Sequence, residues 1–303
     1  MNTSFSALKK NSQALLDNIS KELEKINNPQ GNSDEDKRFW KPTVDKAGNG
    51  MAVIRFLAAV DGEDVPWIQM FTHGFQGPTG LWYIENSRTT LGAGNPDPVS
   101  EYNSVLWNST TDEKSPARDQ ARKQKRRLSY ISNILVIKDS SAPENEGKVF
   151  LYQYGKKIFD KIKASMHPEF EDEEAVNPFD FWKGADFKLK IRQVDGYRNY
   201  DKSEFSDPAP LAQEDEAIEK IWVQQYKLKE FHDAKNFKTY DELKTKLERV
   251  LSTTATKATK KAEDVKDTPP WDDKTTEAKE SKKETPASND DDELANFLKD
   301  LED

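Results

Sequence analysis

The chain has 303 residues, of which 34% are hydrophobic and 33% charged, so part of it lacks the apolar side chains that a packed core needs. Acids outnumber bases by 55 to 46, and the resulting net charge of −9, taken as an average, argues against a polyanionic partner. Cysteine is absent, which excludes disulfide scaffolds, thiolate metal sites and cysteine nucleophiles; no apolar run approaches the ~20 residues that span a bilayer, so a soluble, unexported protein with no membrane association is expected.

In chain order, the first element is an arm over residues 1–30. Leu8, Leu15, Leu16, Ile19, Leu23 and Ile26 recur near the helical period behind a capping Ser4 or Ser6, and Asn27-Asn28-Pro29 with Gly31 stops the run. A single apolar stripe needs a surface to lie on, either this chain's own body or a neighbouring copy.

Residues 39–251 hold 28 of the 31 aromatic side chains and form the body. Met51–Leu57, Trp67–His73, Tyr130–Ile137, Val149–Tyr154 and Phe187–Val194 are short β-branched or aromatic runs bounded by turn residues, and each predicts a strand. Ile158, Phe159, Ile162 and Met166 predict one short helix; Ile218, Ile221 and Trp222, extending to Leu228, and then Tyr240, Leu243, Leu247 and Leu251 predict helices that close the body. Five strands with few helices between them favour an α+β fold, an antiparallel sheet or small barrel, over a doubly wound one.

From Ser252 onward the composition turns to Thr, Lys, Ala, Glu and Pro, and disorder is expected. The final 14 residues carry seven acids and one lysine, with Leu294, Phe297, Leu298 and Leu301 spaced for one helix face. This end either folds against a partner protein or serves as a solubilising tail.

Positive charge in the body is concentrated. Arg118, Arg122, Lys123, Lys125, Arg126 and Arg127, opposed only by Asp119, stand directly ahead of the strand that contains Tyr130. In Phe187–Val194 a period of two puts Phe187, Leu189 and Ile191 on one face and Lys188, Lys190 and Arg192 on the other, leading to Tyr197 and Tyr200. In Val149–Tyr154 the rings of Phe150, Tyr152 and Tyr154 share a face, and Lys156-Lys157 follow. Cations beside exposed rings suit a nucleic acid, because the cations neutralise phosphates while the rings stack on unpaired bases. Arg55, inside an apolar strand, requires either a carboxylate or a phosphate. Enzymatic features are sparse: His73, His167 and His232 are far apart, no phosphate-binding Gly-rich loop is present, and the five acids of Glu169–Glu174 are the one candidate Mg²⁺ cluster. A single-stranded RNA-binding protein and a Mg²⁺-dependent nuclease therefore remain as alternatives.

Several stretches resemble the single-stranded DNA-binding, or helix-destabilising, proteins of T-even-like bacteriophages. They are Ala47-Gly48-Asn49-Gly50 leading into Ala52-Val53-Ile54-Arg55-Phe56-Leu57; His73-Gly74-Phe75; Trp82-Tyr83-Ile84-Glu85; Asn133-Ile134-Leu135-Val136; Ala142 to Phe150; Gly155-Lys156-Lys157; and Asn199-Tyr200-Asp201, in matching order over about residues 38–205. The resemblance implies an OB-fold-like core, residues 31–251, that binds single-stranded DNA without sequence preference during replication, recombination and repair in the cytoplasm of an infected bacterium. It implies no catalysis and no cofactor.

By the same resemblance, Arg55, Trp82, Tyr83, Lys125, Arg126, Arg127, Tyr130, Tyr152 and Tyr200 match residues in or near the DNA cleft, and Tyr102 is added to them. The arm implies cooperative self-association along DNA, with Lys9, Lys10 and Ser12 as a weak copy of the basic-then-hydroxyl motif that reads Lys125-Arg126-Arg127-Leu128-Ser129 in the core. The acidic tail, residues 252–303, implies recruitment of phage replication and recombination proteins such as a polymerase, a helicase loader and a recombinase. The family also looks like a structural zinc protein with one histidine and three cysteines. Here His73 keeps the histidine position, whereas Ser87, Asp97 and Ser100 stand at the other three, so no zinc is expected and Leu81–Trp107 is expected to be held by packing from Trp82, Tyr102 and Trp107.

Overall fold

The computed structural model describes residues 36–170, 172–194 and 196–252, so the expected arm and the tail beyond Ser252 lie outside the described residues. The chain divides into two units. One, Met1–Lys37 with Thr256–Thr268, is described only at Asp36 and Lys37; the other, Arg38–Ala255 with Pro269–Asp303, contains every element below.

That body is α+β. Its strands are β1 (Gly50–Phe56), β2 (Ile68–Gln76), β3 (Trp82–Asn86), β4 (Arg127–Asp139), β5 (Val149–Gly155), β6 (Phe187–Val194), β7 (Tyr197–Asn199) and β8 (Glu204–Phe205). They pair antiparallel in the order β3-β2-β4-β1-β6-β7, with β5 also on β4 and β8 also on β6. All five predicted strands are present.

The 13-residue β4 organises the sheet. β5 runs along Ser129–Leu135 on one edge, while β2 at Arg127–Ile131 and β1 at Ile134–Asp139 share the other. The β1–β4 register slips between Val53 and Ile54, leaving Ile137 as the extra residue of a bulge, its side chain exposed.

The helices are α1 (Pro98–Asn108), α2 (Pro116–Gln124), α3 (Lys156–Met166), α4 (Asp215–Trp222) and α5 (Tyr240–Leu251). α3, α4 and α5 follow the predicted periodicity, but Leu228 belongs to a separate 3₁₀ turn, Leu228–His232. α2 carries almost no apolar signal, and both α1 and α2 depend on their first turns. Asp97 and Ser115 accept from the backbone N–H groups of Ser100 and Arg118, and proline follows each cap. α5 starts with a reciprocal capping box between Thr239 and Glu242.

The main core lies between β1, β4, β5 and β6 on one side and Ile158, Phe159 and Ile162 of α3 on the other. A second cluster packs Leu243, Leu247 and Val250 of α5 onto Phe75 and Tyr83 of the β2–β3 hairpin. The hairpin turn approaches α5 so closely that a Cβ on Gly77 would fall 2.0 Å from the Val250 carbonyl oxygen. Backbone cannot yield as a side-chain tip does, so Gly77→Ala should cost about 1–3 kcal/mol, read as a lower midpoint in urea unfolding.

Candidate functional site

Two of the predicted basic groups meet at one end of the β4–β5 pair. α2 ends at Lys125, which leads through Arg126 into Arg127 at the start of β4, and Ser129 pairs with Gly155, after which Lys156 and Lys157 open α3. Lys156 and Lys157 are exposed; Lys125, Arg126 and Arg127 are half-buried. α3 has no side-chain cap, and its first turn carries two lysines where the helix dipole is already positive. The helix dipole and the ammonium groups both favour an anion there.

The third basic group lies along β6. Its alternation is as predicted, with Phe187, Leu189 and Ile191 buried, Lys188 and Lys190 half-buried and Arg192 exposed. Sequence reasoning missed the acids beside it. Lys190 pairs with Glu204 at 2.7 Å, and Arg192 forms a two-bond pair with Asp201. These contacts hold the Glu204 and Asp201 carboxyls below their usual range, chiefly through the hydrogen bonds from Lys190 and Arg192. Lys161 of α3 donates to the Asp201 carbonyl at 3.0 Å, so α3 links the β4–β5 end to the β6 strip.

The predicted rings divide into two sets. Tyr197 is 50% exposed and Trp82 37%, while Tyr102 and Tyr200 are half-buried. Tyr83, Tyr130, Tyr152 and Tyr154, expected to be accessible, are instead at most 5% exposed. The face of β4 and β5 that carries the last three is covered by α3. Tyr130 stacks on Phe159 at 3.8 Å, Tyr154 on Tyr130 at 5.8 Å and Tyr152 on Tyr154 at 5.5 Å, with Trp40 edge-on to Tyr152 at 5.2 Å. Burial pushes the Tyr152 and Tyr154 hydroxyls well above their ordinary pKa, and Tyr154 shares a 2.8 Å hydrogen bond with Ser132.

Arg55 is also sealed, 1% exposed. Its guanidinium donates to Asp186 at 3.2 Å and to the carbonyls of Asp180 and Ala209 at 3.0 and 2.8 Å. Of its two possible partners the carboxylate is the one present, which removes Arg55 from the set of accessible cations.

The reading also missed Phe71, whose ring lies 4.1 Å from the Arg126 guanidinium, and Thr89, which accepts from Arg126 Nη1 at 2.8 Å. Phe71, Thr89, Pro96, Ser100 and Arg126 line a cavity of about 450 Å³. The only sequence signal for Phe71 was its place in a predicted strand. Trp107, expected as packing, lies under Arg118 and Arg122 at 4.4 and 5.4 Å.

His73, Ser87, Asp97 and Ser100 do converge, and all four are buried. Asp97 Oδ1 faces His73 Nε2 at 3.1 Å, the Ser100 amide at 3.0 Å and the Ser100 hydroxyl at 3.1 Å. Oδ2 accepts from the Ser87 hydroxyl at 2.9 Å and the Arg88 amide at 3.1 Å. Nδ1 of His73 faces the Gln124 carbonyl at 2.9 Å. Burial alone would raise the Asp97 carboxyl; the hydrogen bond and charge of His73, then Ser100 and Ser87, outweigh it and hold the group far below the usual carboxylate range. This donor set does not fit zinc. It offers one imidazole, two hydroxyls and a carboxylate whose acceptor sites are filled by protein donors. Among the described residues, no group of three or more His, Asp or Glu side chains is arranged to hold a metal ion. The expected packing of Leu81–Trp107 by Trp82 is corrected, since Trp82 is exposed and the buried polar cluster lies at the centre of this region.

Residues 48–251 match a family described as gp32 DNA binding protein like. The single-stranded DNA-binding protein of Enterobacteria phage T4 is 41% identical over 259 residues, covering 82% of this chain and 83% of the relative. The single-stranded DNA-binding protein of Enterobacteria phage T2 is 42% identical over 248 residues, covering 79% and 80%.

Proposed function

This chain belongs to the gp32-like family of DNA-binding proteins, and from that premise we propose that it coats single-stranded DNA without sequence preference on an OB-fold-like core. The observation that carries the reading is the meeting of Lys125, Arg126 and Arg127 with Lys156 and Lys157 at one end of β4–β5, over the uncapped start of α3. The phosphate backbone lies against this end and is followed along α3 toward Lys188, Lys190 and Arg192. Trp82, Tyr102, Tyr197 and Tyr200 supply the stacking surfaces, and the cavity beside Arg126 and Phe71 receives an unpaired nucleotide. Preference for unpaired strands melts weak duplex by mass action, with no bond broken and no catalytic group required. Residues 1–30 join neighbouring copies along the strand, and residues 252–303 recruit replication and recombination proteins.

Titration of intrinsic fluorescence with oligo-dT tests the reading, with competition by the matched RNA oligomer separating DNA from RNA binding and an intact labelled strand in Mg²⁺ separating binding from cleavage. Tyr197→Ala should weaken binding by about 1–3 kcal/mol, as for the loss of one stacking ring. Tyr154→Phe should leave affinity unchanged and lower folding stability by about 1 kcal/mol through the lost bond to Ser132. Unchanged emission at low salt, or the reverse ranking of the two variants, contradicts the assignment.

A further inference from the structure

We infer that the Asp97 carboxylate is a metal-free hub, fastening together the four segments that a bound metal ion would otherwise have to join. The segments are β2 through His73, the 3₁₀ turn Arg88–Leu91 through Ser87 and the Arg88 amide, the first turn of α1 through Ser100, and the end of α2 through the His73 contact to Gln124. These connections are non-local: His73 and Gln124 are 51 residues apart, and His73 and Asp97 are 24 apart. Both partners of the His73 ring are oxygen acceptors, so both ring nitrogens are already engaged by protein groups.

The same carboxylate caps α1 and places a negative charge at the positive end of that helix. The network continues outward. Ser87 Oγ lies 3.0 Å from Thr89 Oγ1, which accepts from Arg126, so polar contacts lead from the buried carboxylate to the half-buried guanidinium over Phe71. A carboxylate serves here because every surrounding group donates. Coordinating a cation would require turning those donors away and stripping five hydrogen bonds from Asp97.

Three measurements on the full chain test the hub. Wild-type protein exposed to zinc and then desalted should retain far less than one equivalent, and its thermal midpoint should be the same with and without EDTA. Stoichiometric zinc whose removal lowers the midpoint overturns the proposal. Asp97→Asn keeps the shape but turns an amide N–H₂ toward other donors, and its midpoint should fall by roughly 10 °C; wild-type stability overturns the proposal. In S87C/D97C/S100C the same positions, with His73, form a tetrahedral nitrogen-and-three-sulfur set. This variant should bind Co²⁺ with thiolate charge-transfer absorption and gain stability on adding zinc. Absence of that absorption means that the four positions do not converge as described, and overturns the hub as well.

Discussion

Replacing Arg55 by alanine should lower folding stability by about 2–5 kcal/mol, the range for truncating a large buried side chain. The guanidinium spreads its donors over Asp186 and two carbonyls, from Asp180 and Ala209, and so fastens β1 to the connection that leads into β6 and to the segment after β8. Burial lowers its pKa and the Asp186 charge opposes that, consistent with a cation kept charged by its partner. The connection is built around it: a Cβ on Gly184 would come within 3.0 Å of Arg55 Nη2. Alanine leaves two carbonyls and a carboxylate to find new partners and removes a large buried side chain. Arg55→Lys should recover only part of the loss, because one ammonium cannot span a carboxylate and two carbonyls as the planar fork does. Urea unfolding measures both. In the folded fraction of Arg55→Lys, the salt dependence of oligo-dT binding should match that of wild type. A stable alanine variant with a shallower salt slope would instead make Arg55 a phosphate ligand.

Joint alanine substitution of Lys125, Arg127, Lys156 and Lys157 should have the largest effect on binding. If each cation neutralises one phosphate of a single strand, the slope of log affinity against log salt should become shallower by about 3, at ~0.7 per contact. The loss should be equal for oligo-dT and oligo-dA, because phosphates carry no base identity. Folding should survive, since these side chains are exposed or half-buried, and clearing two lysines from the first turn of α3 relieves their repulsion with the helix dipole by a few tenths of a kcal/mol, roughly. Substitution of Lys188, Lys190 and Arg192 should give less than their formal charge suggests. Lys190 and Arg192 must leave Glu204 and Asp201 before either can serve a phosphate. A wild-type slope in the fourfold variant would move the strand's path elsewhere on the body.

The strands were legible because alternation and β-branched runs report a pleated, half-buried segment wherever it occurs. The same alternation identified which residues share a face, but not what covers that face. Tyr152 and Tyr154 were correctly placed together and wrongly left open, although Ile158 and Ile162 already announced the helix that covers them. α1 and α2 escaped notice for a different reason. The segment from Pro116 to Gln124 buries only Ala121 and Gln124, so no apolar stripe marks it; Asp97-Pro98 and Ser115-Pro116 were the available signals. The acids facing Lys190 and Arg192 come from the stretch that follows β7, and pairing across chain separations of 9 to 14 residues in a turn-rich segment leaves no periodic trace. At Asp97 the four positions were visible through the resemblance, while the direction of every hydrogen bond became readable only from distances.

β4 gives one edge to two tenants and the other to a third. A break between Ser129 and Leu135 therefore frees an edge of β5 together with one of β1 or β2, and the unpaired backbone amides become a ready template for adhering to other chains. The body is indivisible in this sense: pieces produced by a protease nick within the shared strand have no independent refuge and must reassociate or aggregate.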